Sequence, residues 1–224
     1  MKFYTLLIVI ILSIASCTQE NKQVTFTGEI INPTSDMVWL SVNDSTLSTK
    51  LDENNKFEFK IDITEANKYR FDHGGYTYIF LKPGSILHLT LDTKEFDKSI
   101  TYNGTALEEN EYLKKRLLLK EALERNRFKI PNMSENEFQS TMDSTLGIWK
   151  KTLLELKNID SKEYSNFKNA ELEEINKINS LVTDYYKSMI NLRPGKDAID
   201  IKVIDKNGRE YSLKDFKNKV VCID

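Results

Sequence analysis

The sequence predicts an α+β protein: an N-terminal antiparallel β-sandwich, a helical middle segment, and the opening β-hairpin and first core strand of a further, incomplete domain. Three observations support this division. Short apolar runs between turn residues dominate positions 24–103, apolar residues recur at helical spacing over 104–193, and strand patterning returns in 194–224. The 224 residues, 40% of them hydrophobic, suffice for a sizeable core.

The N-terminus has the layout of a secretory signal peptide. Lys2 is followed by the apolar run Phe3–Ile14, which is too short to span a bilayer comfortably. Ile14-Ala15-Ser16-Cys17 resembles a bacterial lipobox, in which the cysteine becomes the lipidated first residue of the mature protein. The alternative is an ordinary signal peptide with a chance cysteine near the cleavage site. We predict a signal peptide over 1–17, lipid attachment at Cys17, and a polar tether over 18–23.

A lipid on Cys17 would anchor the protein to a membrane of the cell envelope, facing the periplasm. Thr18, rather than an aspartate, follows the cysteine, which favours the outer membrane by analogy with lipoprotein sorting. Lys and Arg total 32 against 34 Asp and Glu, with the signs interspersed. The sequence therefore lacks the basic stripe of a nucleic-acid-binding protein.

Cysteine usage argues against a disulfide framework. If Cys17 carries lipid, Cys222 is the only other thiol, and none of the Cys-rich metal spacings occurs. Cys222 lies among Val and Ile residues, where a small buried hydrophobe is expected rather than a reactive thiol. The sequence accordingly predicts no catalytic residue, no cofactor site and no metal site within the chain.

Strand patterns and turn clusters alternate closely in 24–103, which is typical of a β-sandwich. His73 and His88 lie far apart with no third ligand, so we expect solvent-facing loop and strand residues rather than a metal site. Trp39, Tyr76 and Tyr78 are candidates for a binding surface, although aromatic residues at strand spacing more often pack in the core or across strands. The predicted strands are Val24–Ile31, Val38–Val42, Phe57–Ile61, Tyr69–Phe71, Tyr76–Leu81, Ile86–Leu91 and Ile100–Tyr102.

Three helices are predicted in 104–193. The first begins after Asn103 or Thr105, and the second begins at Ser134, where Glu137 completes a capping box. The third runs from near Ser161 to the residues before Pro194. The second and third helices each carry one apolar stripe. These stripes are Phe138, Met142, Leu146, Trp149, Leu153 and Leu156, then Leu172, Ile175, Ile178, Val182, Tyr185 and Met189.

Two groups of carboxylates lie on these helices, Glu108-Glu109-Glu111 and Glu171-Glu173-Glu174. Lysines are interleaved with them, so they are predicted to be solvated surface rather than acid/base pairs, which need burial. The apolar stripes are expected to be core. A coiled-coil homodimer is an alternative, although the register is short for it.

The C-terminal segment has the pattern of a capped hairpin. Apolar residues alternate from Ile199 to Val203, the pattern expected of a strand with one face buried. Asp205–Gly208 is a turn cluster, and Arg209–Tyr211 can return as a second strand. A capped helical turn is predicted at 212–216, with a left-handed exit at Asn218. Val220–Ile223 is an unbroken apolar run typical of a central strand covered on both faces.

This segment resembles the opening of a thioredoxin-like fold. It is most similar to TlpA/ResA-type thiol-disulfide oxidoreductases, and peroxiredoxins share much of the pattern. Ile199, Ile201 and Asn218 stand where the family usually has Pro, Phe and Gly. The matching residues are Gly195-Lys196-x-Ala198-x-Asp200, Asp205-x-Asn207-Gly208 and Ser212-Leu213-x-Asp215-Phe216-x-x-Lys219-Val220-Val221.

The β-rich part resembles the small N-terminal domain of unknown function that often precedes thioredoxin modules in such lipoproteins. The matching residues are Phe26-x-Gly28-x-Ile30, Val38-x-Leu40, Asp44-Ser45-Thr46, Lys56-Phe57-x-Phe59, Leu81-x-Pro83-Gly84 and Tyr102-x-Gly104-Thr105. This resemblance implies a domain architecture but does not identify a ligand for the domain.

Together the resemblances imply the N-terminal part of an envelope-anchored thiol-disulfide oxidoreductase. In that family the core strand leads into a Trp-Cys-x-x-Cys active site, which residues 1–224 lack. We therefore expect this chain alone to be inactive, and protein disulfide substrates only for a longer form. Two alternatives stay open: a non-enzymatic, lipid-anchored binding or dimerisation module, and a peroxiredoxin-type (AhpC/TSA-like) antioxidant protein with a Thr-x-x-Cys motif downstream.

Overall fold

The computed structural model describes residues 22–193, 195–197 and 199–219. Within these residues the protein is α+β, with ten strands and five α-helices, which confirms the predicted fold class. The described residues divide into two compact units. The first contains those up to Lys115 together with Leu156–Lys168, and the second contains Arg116–Glu155 and those from Asn169 onward.

Several predicted features lie outside the described residues. These are the signal peptide, the lipid site at Cys17, most of the tether, and the apolar run Val220–Ile223 with Cys222. Among the residues that are described, no helix is both long enough and apolar enough to cross a membrane.

Eight strands of the first unit form a sandwich of two four-stranded sheets. In chain order they are β1 (Gln23–Ile31), β2 (Met37–Val42), β3 (Ser45–Lys50), β4 (Lys56–Asp62), β5 (Asn67–Asp72), β6 (Tyr76–Leu81), β7 (Ile86–Asp92) and β8 (Thr101–Gly104). The sheet orders are β4-β1-β7-β8 and β3-β2-β5-β6. All pairs are antiparallel except β1 and β7, which run parallel. Strand patterning does not reveal this pair, because the chain passes through β2–β6 before it returns.

The core lies between the two sheets and is centred on phenylalanines. The ring of Phe26 lies 5.2 Å from that of Phe57 and 5.4 Å from that of Phe71, both edge to face. Gly28 follows on the same face of β1, and a Cβ there would lie 2.6 Å from the Phe57 ring and 2.5 Å from the Leu89 carbonyl oxygen. A side chain at position 28 is therefore incompatible with this core.

The edge of the sheet at β6 is covered by helices of the same unit. The ring of Phe80 packs against Tyr164 at 5.2 Å and Phe167 at 4.9 Å. The buried Asn110 side chain accepts a hydrogen bond from the Phe80 N–H at 2.8 Å and donates one to the Phe80 carbonyl at 3.0 Å. Backbone groups that a partner strand would satisfy are thus bonded by an amide side chain.

The helices are α1 (Phe96–Ser99), α2 (Leu107–Asn126), α3 (Glu135–Met142), α4 (Ile148–Leu154) and α5 (Ser165–Ile190). Ser134 and Glu137 form the predicted capping box at the start of α3. A π-helical turn, Asp143–Gly147, joins α3 to α4. Every residue of the predicted stripe from Phe138 to Leu156 is buried, so this amphipathic pattern is confirmed.

The stripe predicted for the third helix is only partly core: Ile175 is buried, Leu172, Ile178, Val182 and Met189 are half-buried, and Tyr185 is exposed. Tyr185 is 42% exposed, whereas its neighbour Tyr186 is buried. The Tyr186 ring stacks on Phe138 at a centroid distance of 4.0 Å, and its hydroxyl donates to the Met133 carbonyl at 3.2 Å. These contacts within the second unit turn Tyr186, rather than Tyr185, towards α3.

Candidate functional site

The segment that resembles a thioredoxin-like opening forms a two-stranded hairpin, β9 (Lys202–Ile204) and β10 (Glu210–Ser212). The Asp205 side chain accepts hydrogen bonds from two backbone N–H groups of the turn, at 2.8 and 2.9 Å. Gly208 has a φ of 80°, which glycine adopts without strain. The predicted turn is therefore confirmed, and the hydrogen bonds that stabilise it lie within the turn itself.

A single 3-10 turn, Leu213–Phe216, follows β10. The Asp215 carboxylate accepts a hydrogen bond from the Ser212 N–H at 2.8 Å, as the capping pattern predicts. Asn218 has a φ of 65°, which confirms the predicted left-handed exit.

Asp200 fastens this turn to the residues before the hairpin. One carboxylate oxygen accepts from the Leu213 N–H at 3.1 Å, and the other lies 3.1 Å from the Lys214 ammonium nitrogen. The hydrogen bond from Lys214 is the main reason that the pKa of Asp200 is lowered below its ordinary value. Asp200 therefore takes up a proton less readily than an ordinary aspartate.

The apolar residues of the hairpin are not enclosed by other described residues. Ile199, Ile201, Val203 and Ile204 are between 42% and 71% exposed. The prediction that one face of this strand is buried is thus wrong for the described chain, since no second layer covers it here. The described residues of this segment form the predicted hairpin and capped turn and enclose no site.

His73 is fully buried, so the expectation of a solvent-facing side chain is wrong for this residue. Its Nε2 accepts from the Thr34 N–H at 3.2 Å, which leaves Nδ1 to donate to the Met37 carbonyl at 2.9 Å. Both ring nitrogens therefore hold the loop between β1 and β2. His88 is half-buried on β7, with Nδ1 2.9 Å from the Thr27 hydroxyl.

Trp39, Tyr76 and Tyr78 lie on the outer face of the sheet β3-β2-β5-β6 and not in the core. Trp39 and Tyr78 are half-buried, and Tyr76 is 50% exposed. The Arg70 guanidinium lies 4.3 Å from the centre of the Tyr76 ring, which is a cation–π contact between β5 and β6. Packing across strands therefore occurs here, but burial in the core does not.

Two of the six predicted surface carboxylates, Glu109 and Glu171, are buried instead. The Glu109 carboxylate accepts a hydrogen bond from the Tyr164 hydroxyl at 2.5 Å. Burial is the main reason that the pKa of Tyr164 is raised, and the hydrogen bond to the Glu109 carboxylate is the second reason. The hydrogen bond links Glu109 to Tyr164 within the helical part of the first unit. Each of these two groups serves as the hydrogen-bond partner of the other.

Glu171 belongs to a buried ionic cluster in the second unit. One of its oxygens lies 3.1 Å from Nε of the buried Arg116 and accepts from the Trp149 indole N–H at 3.4 Å. The guanidinium also donates to Glu174 at 2.5 Å and lies 5.1 Å from the centre of the Trp149 ring. The carboxylate and the guanidinium neutralise one another, so the cluster is suited to holding helices together rather than to acid/base chemistry.

Sequence patterning missed this cluster although one signal was present. Glu171 precedes the buried Ile175 by one helical turn, which continues the apolar stripe of α5 backwards onto a carboxylate. Interleaved lysines made the whole group resemble a solvated face. For Glu171, alignment with the apolar stripe of the helix was therefore a better indicator of burial than the charged residues beside it in the sequence.

The ranges 22–193, 195–197 and 199–219 contain no group of three or more His, Cys, Asp or Glu residues placed to hold a metal ion. Neither cysteine is among the described residues, so lipid attachment at Cys17 and the inert assignment of Cys222 stay predictions.

No family model matches the chain, and no curated protein or solved structure matches it either. The resemblance of 195–221 to thioredoxin-like proteins therefore stays a prediction from the residue pattern.

Proposed function

We propose that the chain is the N-terminal part of an envelope-anchored thiol-disulfide oxidoreductase of the TlpA/ResA type. The observation that supports this most is the hairpin with its 3-10 turn. Asn218 stands where the family usually has glycine, and its left-handed φ of 65° is a conformation that asparagine tolerates better than other non-glycine residues. The departure from the family pattern is thus physically conservative.

In this proposal the redox chemistry belongs to residues that follow the core strand. A thiolate, stabilised at a helix N-terminus, attacks one sulfur of a substrate disulfide; the S–S bond breaks and the released thiolate takes up a proton. A second cysteine then attacks the mixed disulfide, so that the substrate leaves reduced and the enzyme dithiol becomes a disulfide. The exposed isoleucines of 199–204 are apolar surface that the rest of such a domain would cover.

The described parts have supporting roles in this proposal. A lipid on Cys17 holds the protein to the envelope, with the outer membrane favoured and the folded parts facing the periplasm. In the sequence, the sandwich and helices lie between the lipid anchor and the redox domain.

A disulfide-reduction assay tests this division of roles. The 224-residue chain, mixed with insulin and dithiothreitol, is expected to reduce insulin no faster than dithiothreitol alone, because it has no Cys-x-x-Cys pair. The product of the complete reading frame is expected to turn over. Turnover by the 224-residue chain that disappears in Cys222→Ser would contradict the proposal, since it would assign the chemistry to Cys222.

A further inference from the structure

Strand β4 forms one edge of the sheet β4-β1-β7-β8. Among the strands that the structure describes, none pairs with the outer side of β4. The Ile30 N–H donates to the Asn55 carbonyl at 2.9 Å, and hydrogen-bonded pairs alternate along an antiparallel ladder. The odd-numbered residues of β4 therefore bond to β1, whereas Glu58 and Lys60 direct their backbone N–H and C=O groups to the open edge.

The outward side chains of β4 alternate in charge. They are Lys56, Glu58, Lys60 and Asp62, and all four residues are exposed. Glu58 and Lys60 already form an ion pair along the strand at 3.1 Å, but both side chains are about half exposed, so this pair alone adds little stability. Charged residues usually keep an edge strand from pairing with another chain. Here the alternation of sign opposes only those registers that place like charges opposite one another.

A second copy of β4 can pair with this edge in a register that sets opposite charges face to face. Two identical antiparallel strands are related by a two-fold axis, which here passes through a residue because the outward backbone groups alternate. With the axis at Phe59, Glu58 lies opposite Lys60 of the second copy and Lys60 lies opposite Glu58. With the axis at Lys60, the two lysines would face each other and Glu58 would face Asp62. Opposite charges in facing positions stabilise a strand pair, so the pattern favours the axis at Phe59.

The paired segment is Phe57–Ile61 in both copies. Towards the start of β4 the edge is closed, since the N–H and the carbonyl of Lys56 are bonded within the chain to Asp52, each at 2.8 Å. Towards the end, an axis at Ile61 would carry the pairing beyond Asp62, the last residue of β4. Within the segment, each facing pair of Glu58 and Lys60 exchanges two backbone hydrogen bonds. Each charge keeps its partner on its own strand and gains an opposite charge from the other copy.

Two other sheet edges offer no such match. β3 carries Thr46, Ser48 and Lys50 on its outward side, which is a single charge beside two hydroxyl groups. The backbone of β6 is bonded at Phe80 by the Asn110 side chain. A strand from an unrelated protein would need the inverse order of charges, whereas β4 of a second copy supplies that order by symmetry. The occupant that the β4 edge fits is therefore the same chain.

We propose that the protein forms a two-fold dimer by antiparallel pairing of β4 with β4 of a second copy. The two sheets β4-β1-β7-β8 then join into one continuous sheet of eight strands. The paired segment is short, so the interface lies at the small end of the range for specific complexes and the dimer is reversible. The surface belongs to the first unit, and the dimer does not depend on the proposed redox function.

Sedimentation equilibrium of the 224-residue chain, from about 1 to 500 µM, tests the dimer and is expected to show a monomer–dimer equilibrium. Glu58→Lys and Lys60→Glu are each expected to weaken dimerisation about tenfold or more, because each change replaces two facing pairs of opposite charge by pairs of like charge. Lys50→Glu is the matched control, since it makes the same change of charge on β3 and leaves the dissociation constant unchanged. Circular dichroism confirms that each variant is folded.

Combining the two β4 variants tests the register itself. The double variant, Glu58→Lys with Lys60→Glu, restores opposite charges in facing positions, so its dissociation constant is expected within about threefold of the parent's. A mixture of the two single variants is expected to form a heterodimer, since every facing pair then joins a lysine to a glutamate. The proposal is overturned if the parent chain stays monomeric at about 500 µM, if the single variants dimerise as tightly as the parent, or if neither the double variant nor the mixture regains dimerisation.

Discussion

Replacing Glu171 with alanine is expected to lower the free energy of unfolding of the second unit by about 3–5 kcal/mol, the cost typical of removing one partner of a buried ion pair. Arg116 would stay buried with its charge only partly compensated, since Glu174 reaches it from a more exposed position. The hydrogen bond from the Trp149 indole N–H to Glu171 would also be lost. Urea unfolding, monitored by the fluorescence of Trp149, measures the loss in free energy of unfolding.

A neighbouring variant and a double variant separate charge burial from other effects. Glu173→Ala removes an exposed carboxylate from the same helix and is expected to change stability by about 0.5 kcal/mol or less. Arg116→Met combined with Glu171→Leu is expected to be markedly more stable than Glu171→Ala, because no unpaired charge is left inside. A cost below about 1 kcal/mol for Glu171→Ala would mean that water reaches Arg116 and that the cluster is not a buried one.

Phe26→Ala is expected to destabilise the sandwich by about 3–5 kcal/mol, as large-to-small changes of buried aromatic residues do. Phe26 is fully buried, and its ring contacts that of Phe57 on the neighbouring strand β4 and that of Phe71 on the opposite sheet. Removing it leaves a cavity between rings that cannot all move inwards. Chemical unfolding followed by far-UV circular dichroism and Trp39 fluorescence measures the effect.

The matched control for this variant is Phe128→Ala. The same side chain is removed, but from a position that is 75% exposed, so the expected change is about 0.5 kcal/mol or less. Similar losses for the two variants would contradict the assignment of Phe26 to the centre of the core.

Features set by adjacent residues were predictable from the sequence. The capping box at Ser134, the turn at Asp205 and the left-handed Asn218 each depend on contacts within a few residues. The stripe from Phe138 to Leu156 was also predictable, because the spacing of its apolar residues continues through the π-helical turn.

Features set by distant partners were not predictable. His73 is buried because Thr34 and Met37, far away in sequence, bond its ring. Glu171 is buried because α2 supplies Arg116. Neither partner is visible in the local pattern, so charge and polarity alone indicated solvent exposure.

Strand β3 was missed for a different reason. Its sequence, Ser45–Lys50, contains one large apolar residue, and nearly all of its residues are exposed. Backbone pairing with β2 stabilises this edge strand without a buried face, so the alternation that marks a strand is absent. The parallel pairing of β1 with β7 was likewise beyond local pattern, since it depends on the order in which the chain visits the two sheets.

The coding sequence immediately downstream of the Asp224 codon tests most directly whether 195–219 opens a thiol-disulfide oxidoreductase domain. We expect an open reading frame that encodes Trp-Cys-x-x-Cys soon after the apolar run Val220–Ile223. A stop codon at that point, or a continuing frame without a pair of cysteines, would contradict it; a Thr-x-x-Cys motif there would instead assign the protein to the peroxiredoxins.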